Sequence, residues 1–386
     1  MNRPELSIDP KAFHADPYPV LAQMRAEYPA VYVPELRATL ITRRDDVFTQ
    51  EKRVDLFSSY QPKGLLQQIM GDNMMRKDGA AHMAERKALF PALSPRTTRD
   101  HLAAQFQDIV DGHIARIKPL GRAEIVREFA LPVAADALRV MTGLTNMETH
   151  AMDAASQAML DGVANYMGDA GIAAKAAAAS ASVDALIDAR LPQLRAAPDV
   201  SILSVLDQAG LPRDAIAGTI KVIIGGGQNE PRDAIAGTIW ALLAHPQQHQ
   251  LIRDGQASYV DAFNEYIRLI TPIGMTPRRL TRDETVCGFD FRAEETAFLM
   301  FSSACRDADH FENADVYDLQ RDQGPALPFG AGPHFCAGAA ASRCLIAQTA
   351  LPRLFDALPG LELAGDVPFQ GWAFRGPVVL PLRWKT

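Results

Sequence analysis

Apolar and polar positions recur with two different periods along this chain, and the change of period divides it. Tyr18 to Glu27 carries apolar residues at 20, 21 and 24, the spacing of a short helix, and AVYVPE and ATLITR then read as a pair of strands. From about Asp100 to Ala244 the pattern is helical, in segments such as AADALRVM and AAKAAAASASVDALIDARL that break at Gly and Pro. Alanine at this density favours helix, so Gly171 to Ala181 is expected to form one with a small-residue packing face. After Pro246 come a short helix around VDAFNEYIRLI, strand-like stretches at TVCGFDF and ETAFLMF, and an irregular run from Asp307 to Pro328. A helix over AGAAASRCLIAQTALPRLFDAL and a loop and strand, GWAFRGPVVLPLRW, end the chain. The expected class is mainly α with a small β-rich lobe, roughly 1–60 plus 275–300 and 365–386. No break in composition marks a second domain, so 1–386 is read as one.

The segment from Arg213 to Pro246 is predominantly apolar and far longer than an average helix. At 1.5 Å per residue, about 30 residues would cross roughly 45 Å, the width of a domain. Gly225, Gly226, Gly227 and Pro231 sit in its middle, where proline removes the donor for the carbonyl of Gly227 and glycine weakens the turn before it. Either a long central helix is distorted at its midpoint, which points to something bound there, or two helices meet at a Gly/Pro turn. Nine residues, PRDAIAGTI, occur at both 212–220 and 231–239, too short for a solenoid repeat.

Composition narrows the function. The 386 residues carry 39 basic against 46 acidic side chains, a net charge of −7, with 48% hydrophobic, the profile of a folded chain. No long Lys/Arg run exists to hold phosphates, which argues against nucleic acid. The polar, proline-rich start and the lack of about 20 uninterrupted apolar residues give no reason to expect a membrane, so a cytoplasmic protein is expected. Four cysteines, Cys287, Cys305, Cys336 and Cys344, are too few and too C-terminal for a disulfide framework.

One of those cysteines stands apart. In FGAGPHFCAG, glycines 330, 332 and 338 allow the backbone to wrap tightly around Cys336, and a helix is expected to begin just after it. A helix N-terminus stabilises a thiolate, which favours a metal-bound sulfur. No Cys or His has zinc-site spacing around it, so a single thiolate points to haem iron, whose in-plane ligands come from the porphyrin.

The loop F-G-x-G-x-H-x-C-x-G resembles the haem-ligand loop of the cytochrome P450 monooxygenases. Other marks of that family follow in order along nearly the whole chain. Glu265-Tyr-Ile-Arg268 resembles its E-x-x-R pair, and Asp78-Gly-x-x-His82-x-x-x-Arg86 its helix that holds a haem propionate. RRLTRD places Arg278 where the family has another propionate-binding arginine, and His334 matches the same role in the loop. Phe329, Gly330 and Gly338 belong to the matched loop, and ACRDADHFENADVYDLQRD resembles the irregular meander, with Cys305 where an Asn is common. The resemblance implies a triangular helical body with a β-rich lobe, Cys336 as iron ligand, haem b (protoporphyrin IX iron), O2, and two electrons from NAD(P)H through a partner. One oxygen atom then enters an organic substrate.

The distal helix departs from the family. The usual acid–alcohol pair falls on Asn229 and Glu230, and the threonine that orders water for proton delivery is missing. Glu230 is the candidate proton donor or relay in its place, since a carboxyl in a dry pocket is held toward its protonated form; local capping by Glu230, with water as the relay, is the alternative. Gly226 to Pro231, G-G-x-x-E-P, is similar to bacterial aromatic O-demethylases that act on guaiacol- or syringol-type compounds. That similarity implies oxidative O-demethylation of a methoxy-aromatic; the distal carboxylate separately raises direct use of hydrogen peroxide, with Glu230 moving its proton between the oxygens. Phe374 and Tyr166 are the candidate aromatic contacts, with Met167 beside the latter, and Ile223, Ile224, Gly227 and Ile273 the remaining walls. A terpenoid, fatty-acid or natural-product hydroxylase is the alternative enzyme, and a haem-based sensor or electron carrier the non-enzyme. No reductase is legible in these residues, so a ferredoxin-type or flavin reductase partner is expected to dock near Arg86, Lys87, Arg96 and Arg343 on a monomer.

Overall fold

The computed structural model describes residues 3–386 except 63, 166 and 167. The chain groups into two compact units, each assembled from separated stretches: 1–60, 233–336 and 360–383 in the first, 61–232, 337–359 and 384–386 in the second. The β-rich segments expected at 1–60, 275–300 and 365–386 fall in the first unit except for the last three residues, 384–386, which group with the second.

Its sheet has five strands, β1 (Ala30–Val33), β2 (Ala38–Ile41), β3 (Phe57–Ser58), β4 (Thr276–Leu280) and β5 (Thr296–Leu299), in the order β1-β2-β5-β4-β3. Only β2 and β5 run parallel; the other neighbours are antiparallel. β1, β2 and β5 come from segments whose patterning reads as strand. β3 and β4 do not alternate in an obvious way, because TPRRL offers two adjacent arginines. The pleat separates them: Arg278 and Leu280 lie on the covered face, while Arg279 turns outward to the carbonyl of Tyr60. The core beneath includes Val47, Phe57, Leu280, Phe291, Leu299 and Ala331, so the sheet, the helix Arg44–Gln50 and the start of the Cys336 loop share one apolar cluster. A hairpin of Glu284–Val286 and Phe289–Phe291 supplies the strand pattern of TVCGFDF.

The second unit is helical. The alanine-rich stretch forms a single helix, Ala170–Ala196, with Ala176, Ser180, Val183, Ile187, Leu191 and Leu194 buried along one face. Small residues permit the approach: a Cβ on Gly162 would stand 2.4 Å from that of Ala176. This helix is long and apolar enough to span a membrane by length and composition, against the sequence expectation that no segment is. It also carries Asp184, which pairs with Lys221 at 2.7 Å inside the unit.

Arg213–Ala244 is one uninterrupted α-helix through the three glycines and Pro231, which removes the two-helix alternative. Packing explains its survival. An interior proline costs about 3 kcal/mol. Ile216, Ile220, Ile224, Ile235 and Ile239 are each at most 1% exposed, and burying one such side chain returns about 1.5–3 kcal/mol. Tertiary burial therefore outweighs the local penalty.

Candidate active site

In the first unit the loop from Phe329 to Cys336 is built on two left-handed glycines, Gly330 (φ 71°) and Gly332 (φ 62°), which L side chains rarely tolerate. They let the chain double back so that the Cys336 N–H donates to the carbonyl of Phe329 at 2.9 Å. Phe329 packs between Phe263 and Phe335, with ring centroids 6.3 Å from each. Cys336 is half-buried, and His334 Nε2 lies 3.1 Å from the hydroxyl of Ser59. Among the described residues no three of His, Cys, Asp and Glu gather as a metal set. A lone sulfur on such a loop suits an ion whose other ligands are not protein.

The segment before the loop is held by a buried ion pair. Glu265 and Arg268 share the helix Tyr259–Leu269, started by the capping box of Ser258 and Asp261, and both are completely buried. Arg268 reaches past Glu265 to the carbonyls of Cys305 and Ala314, both at 2.8 Å, and Val316 at 3.2 Å. Arg321 joins Glu265 at 3.2 Å. The irregular run after Asp307 has no ladder of its own, so these side-chain donors satisfy its carbonyls. Cys305 serves here through its backbone, while burial pushes its thiol up and its sulfur accepts from the Leu327 N–H at 3.3 Å.

Arg278 is also buried, at 3% exposure. Its Nη1 donates to Thr276 Oγ1 at 2.5 Å and its Nη2 to Glu51 at 2.6 Å, whereas Nε is buried with no hydrogen-bond partner among the described residues. An unmet buried donor on this arginine fits a group that brings its own carboxylate, as haem propionates do. Ile273 and Phe374, called together as pocket walls, form an isolated antiparallel bridge in this unit, and Phe374 is 49% exposed.

The second unit holds the remaining candidates. His82 is buried and Arg86 half-buried on the helix Gly79–Leu93. On the long helix Asn229 is buried and accepts from Arg232 Nη1 at 2.8 Å, Glu230 is half-buried, and Gln228 donates to the carbonyl of Leu131. Gly226 is exposed on this otherwise covered turn, and nothing lies within 4 Å of where its Cβ would stand. Gly227 is pressed on Leu138, whose Cδ2 would be 2.6 Å from a Cβ there, and Ile224 is fully buried in the helical core, with Ile223 packed against it. Those contacts account for Gly227 and Ile224 by packing. Gly338 caps the helix Ala339–Leu345, close after Cys336 in sequence. Tyr166 and Met167 lie outside the described residues. Sequence reading missed Glu51 altogether; no periodic or motif signal links it to Arg278, 227 residues away.

The Cytochrome P450 family model matches residues 256–349, which include the E-x-x-R pair, the meander and the cysteine loop. Along the whole chain, nocardicin C N-oxygenase of Nocardia uniformis subsp. tsuyamanensis is 29% identical, covering 97% of each protein. The chain is thus similar to cytochrome P450 proteins along nearly its whole length. Vitamin D(3) 25-hydroxylase of Pseudonocardia autotrophica is 26% identical, over 91% of this chain and 89% of that protein. Among solved structures, P450BioI in complex with hexadec-9Z-enoic acid ligated acyl carrier protein superposes with a TM-score of 0.89 at 22% identity, covering 97% of this chain and 100% of the other. CYP109E1 from Bacillus megaterium in complex with testosterone gives 0.87 at 20%, with 98% and 100% covered. The fold is therefore that of a cytochrome P450, and the enzyme is a haem-dependent monooxygenase using O2 and electrons from a redox partner.

Proposed function

We propose that this cytochrome P450 removes the methyl group of a small methoxy-aromatic, with Glu230 moving the protons that the reaction consumes. The observation that carries the reading is the carboxylate itself: where the family's distal alcohol is missing, Glu230 stands on an intact helix beside an Asn229 held by Arg232. Cys336 would hold the haem, with Arg278 and His334 of the same unit as candidates for its propionates and His82 and Arg86 the candidates that the second unit carries; the haem would supply the activation of O2 and the transfer of one oxygen atom to substrate. The protein's share is to hold a methoxy group in place and to gate protons. Ile273 and Phe374, joined by one backbone bridge, give an apolar wall with an aromatic face suited to a flat ring. Oxidation of the methyl carbon followed by C–O cleavage releases formaldehyde and a phenol.

Titration with guaiacol and syringol tests this. The expected result is a change in the haem absorption spectrum on binding and one formaldehyde per turnover; neither signal from active enzyme would refute it. A second reading, hydroxylation of a larger natural product, is favoured by the names of the relatives, an N-oxygenase of nocardicin C and a hydroxylase of vitamin D(3). The same titration with sterols and macrocycles separates the two. For electron delivery we propose an acidic carrier seated near Lys87 and Arg96, which are exposed in the second unit along with the half-buried Arg86 and Arg343.

A further inference from the structure

The helix Arg44–Gln50 ends at Glu51, whose N–H donates to the carbonyl of Val47 at 3.0 Å and whose side chain, 2% exposed, turns into the protein. One carboxylate oxygen takes the 2.6 Å bond from Arg278. The other accepts from the Ala331 N–H at 3.4 Å, and a Cβ on Gly330 would stand 3.1 Å from it. Gly332 sits on the same turn, where a Cβ would be 3.1 Å from the Glu51 carbonyl oxygen. A single carboxylate thus joins an arginine of β4 to the backbone of the loop that carries Cys336. Burying both ions is costly, and apolar side chains of similar size would brace a loop as well, so packing alone does not account for the pair. Arg278 also keeps its Nε–H unmet, so its charge is divided between a carboxylate of the chain and whatever anion that donor receives.

We propose that Glu51 is a positioning residue for the haem: it holds Arg278 against the cysteine loop and offsets the arginine's charge, keeping the surroundings of the iron more negative than Arg278 alone would. Adding an electron to the iron is opposed by nearby negative charge, so Glu51 lowers the midpoint potential of the haem. The inference rests on the haem and not on the identity of the substrate.

The test uses the haem-loaded enzyme. Glu51→Gln keeps the shape and removes the charge; its ferric/ferrous midpoint potential is expected to shift positive, and its haem to pass to excess apoglobin about 10-fold faster. Glu51→Asp keeps the charge with a shorter reach, so the potential should stay near that of the parent while haem loss still quickens. A purely structural strut would move the two variants alike in haem loss and leave the potential unchanged. An unchanged or negative shift in Glu51→Gln overturns the proposal. Should Glu51→Gln not accumulate with haem, Glu51→Asp decides: haem loss at the parent rate overturns it.

Discussion

Arg268 donates two hydrogen bonds of 2.7 Å, from Nε and Nη2, to the two oxygens of Glu265, and neither side chain is exposed to solvent. An i, i+3 pair on a helix surface contributes about 0.2–0.5 kcal/mol. Here Glu265 also meets Arg321 at 3.2 Å, so removing Arg268 leaves the buried carboxylate with a weaker partner and should cost about 3 kcal/mol, the lower end of the range for a broken buried pair. Arg268→Ala is therefore expected to lower the urea unfolding free energy by that amount and to accumulate little haem-loaded protein, because the carbonyls of Cys305 and Ala314 lose this donor as well. A loss below 1 kcal/mol would show the pair to be dispensable.

The missing distal alcohol makes Glu230 the group to neutralise. Glu230→Gln preserves volume and removes the titrating proton. Peroxide-driven turnover should fall about 10²-fold or more while haem content stays at the parent level, the usual scale for loss of a general acid. Equal peroxide rates in the two proteins would assign proton movement to water.

The repeated PRDAIAGTI segments place a glycine at the closest approach of the long helix in each copy, but to different partners. A Cβ on Gly218 would lie 1.9 Å from the Asp72 carbonyl oxygen, and one on Gly237 would lie 1.8 Å from the Tyr266 hydroxyl. Backbone cannot rotate aside and a fully buried tyrosine has little room to do so. Gly218→Ala and Gly237→Ala should each destabilise by about 1–3 kcal/mol through overpacking, more than the helical preference for alanine returns. Thermal unfolding of the two variants measures the difference.

Acid sensitivity should include a contribution from Asp136. Burial pushes its carboxyl up, but hydrogen bonds from His113, Thr149 and Arg139 outweigh burial and bring it down from 3.8 to about 2. A carboxyl depressed in the folded state stabilises the protein above its unfolded value. That stabilisation is lost as pH falls from about 4 to 2. After allowance for solvent screening, Asp136→Asn should cost about 1 kcal/mol at neutral pH and nothing near pH 2, read from unfolding curves across that interval. A pH-independent difference would contradict the assignment.

Local spacing made the helices, the cysteine loop and the Glu265–Arg268 pair legible, because residues three or four apart share a helix face wherever the helix sits. The same local reasoning anticipated damage at Gly225–Pro231, and there it met a limit. Propensity is counted over neighbours in the chain, whereas the isoleucines that keep Arg213–Ala244 helical bury themselves against segments far away. The first and second strands were visible from alternation; β4 was not, since its two faces each carry an arginine and only burial tells Arg278 from Arg279.

What the chain's order of residues determined by itself was the candidate chemistry: one cysteine in a glycine-turned loop, one carboxyl in the middle of the long helix, and the elements that bear them. Only tertiary structure decided which charges meet. Arg278 finds Glu51 across 227 residues, and Arg268 finds the carbonyls of Cys305 and Ala314, because a buried ion takes whichever partner folding brings within hydrogen-bond reach. No periodicity along a chain encodes that reach; it exists only once the core has closed.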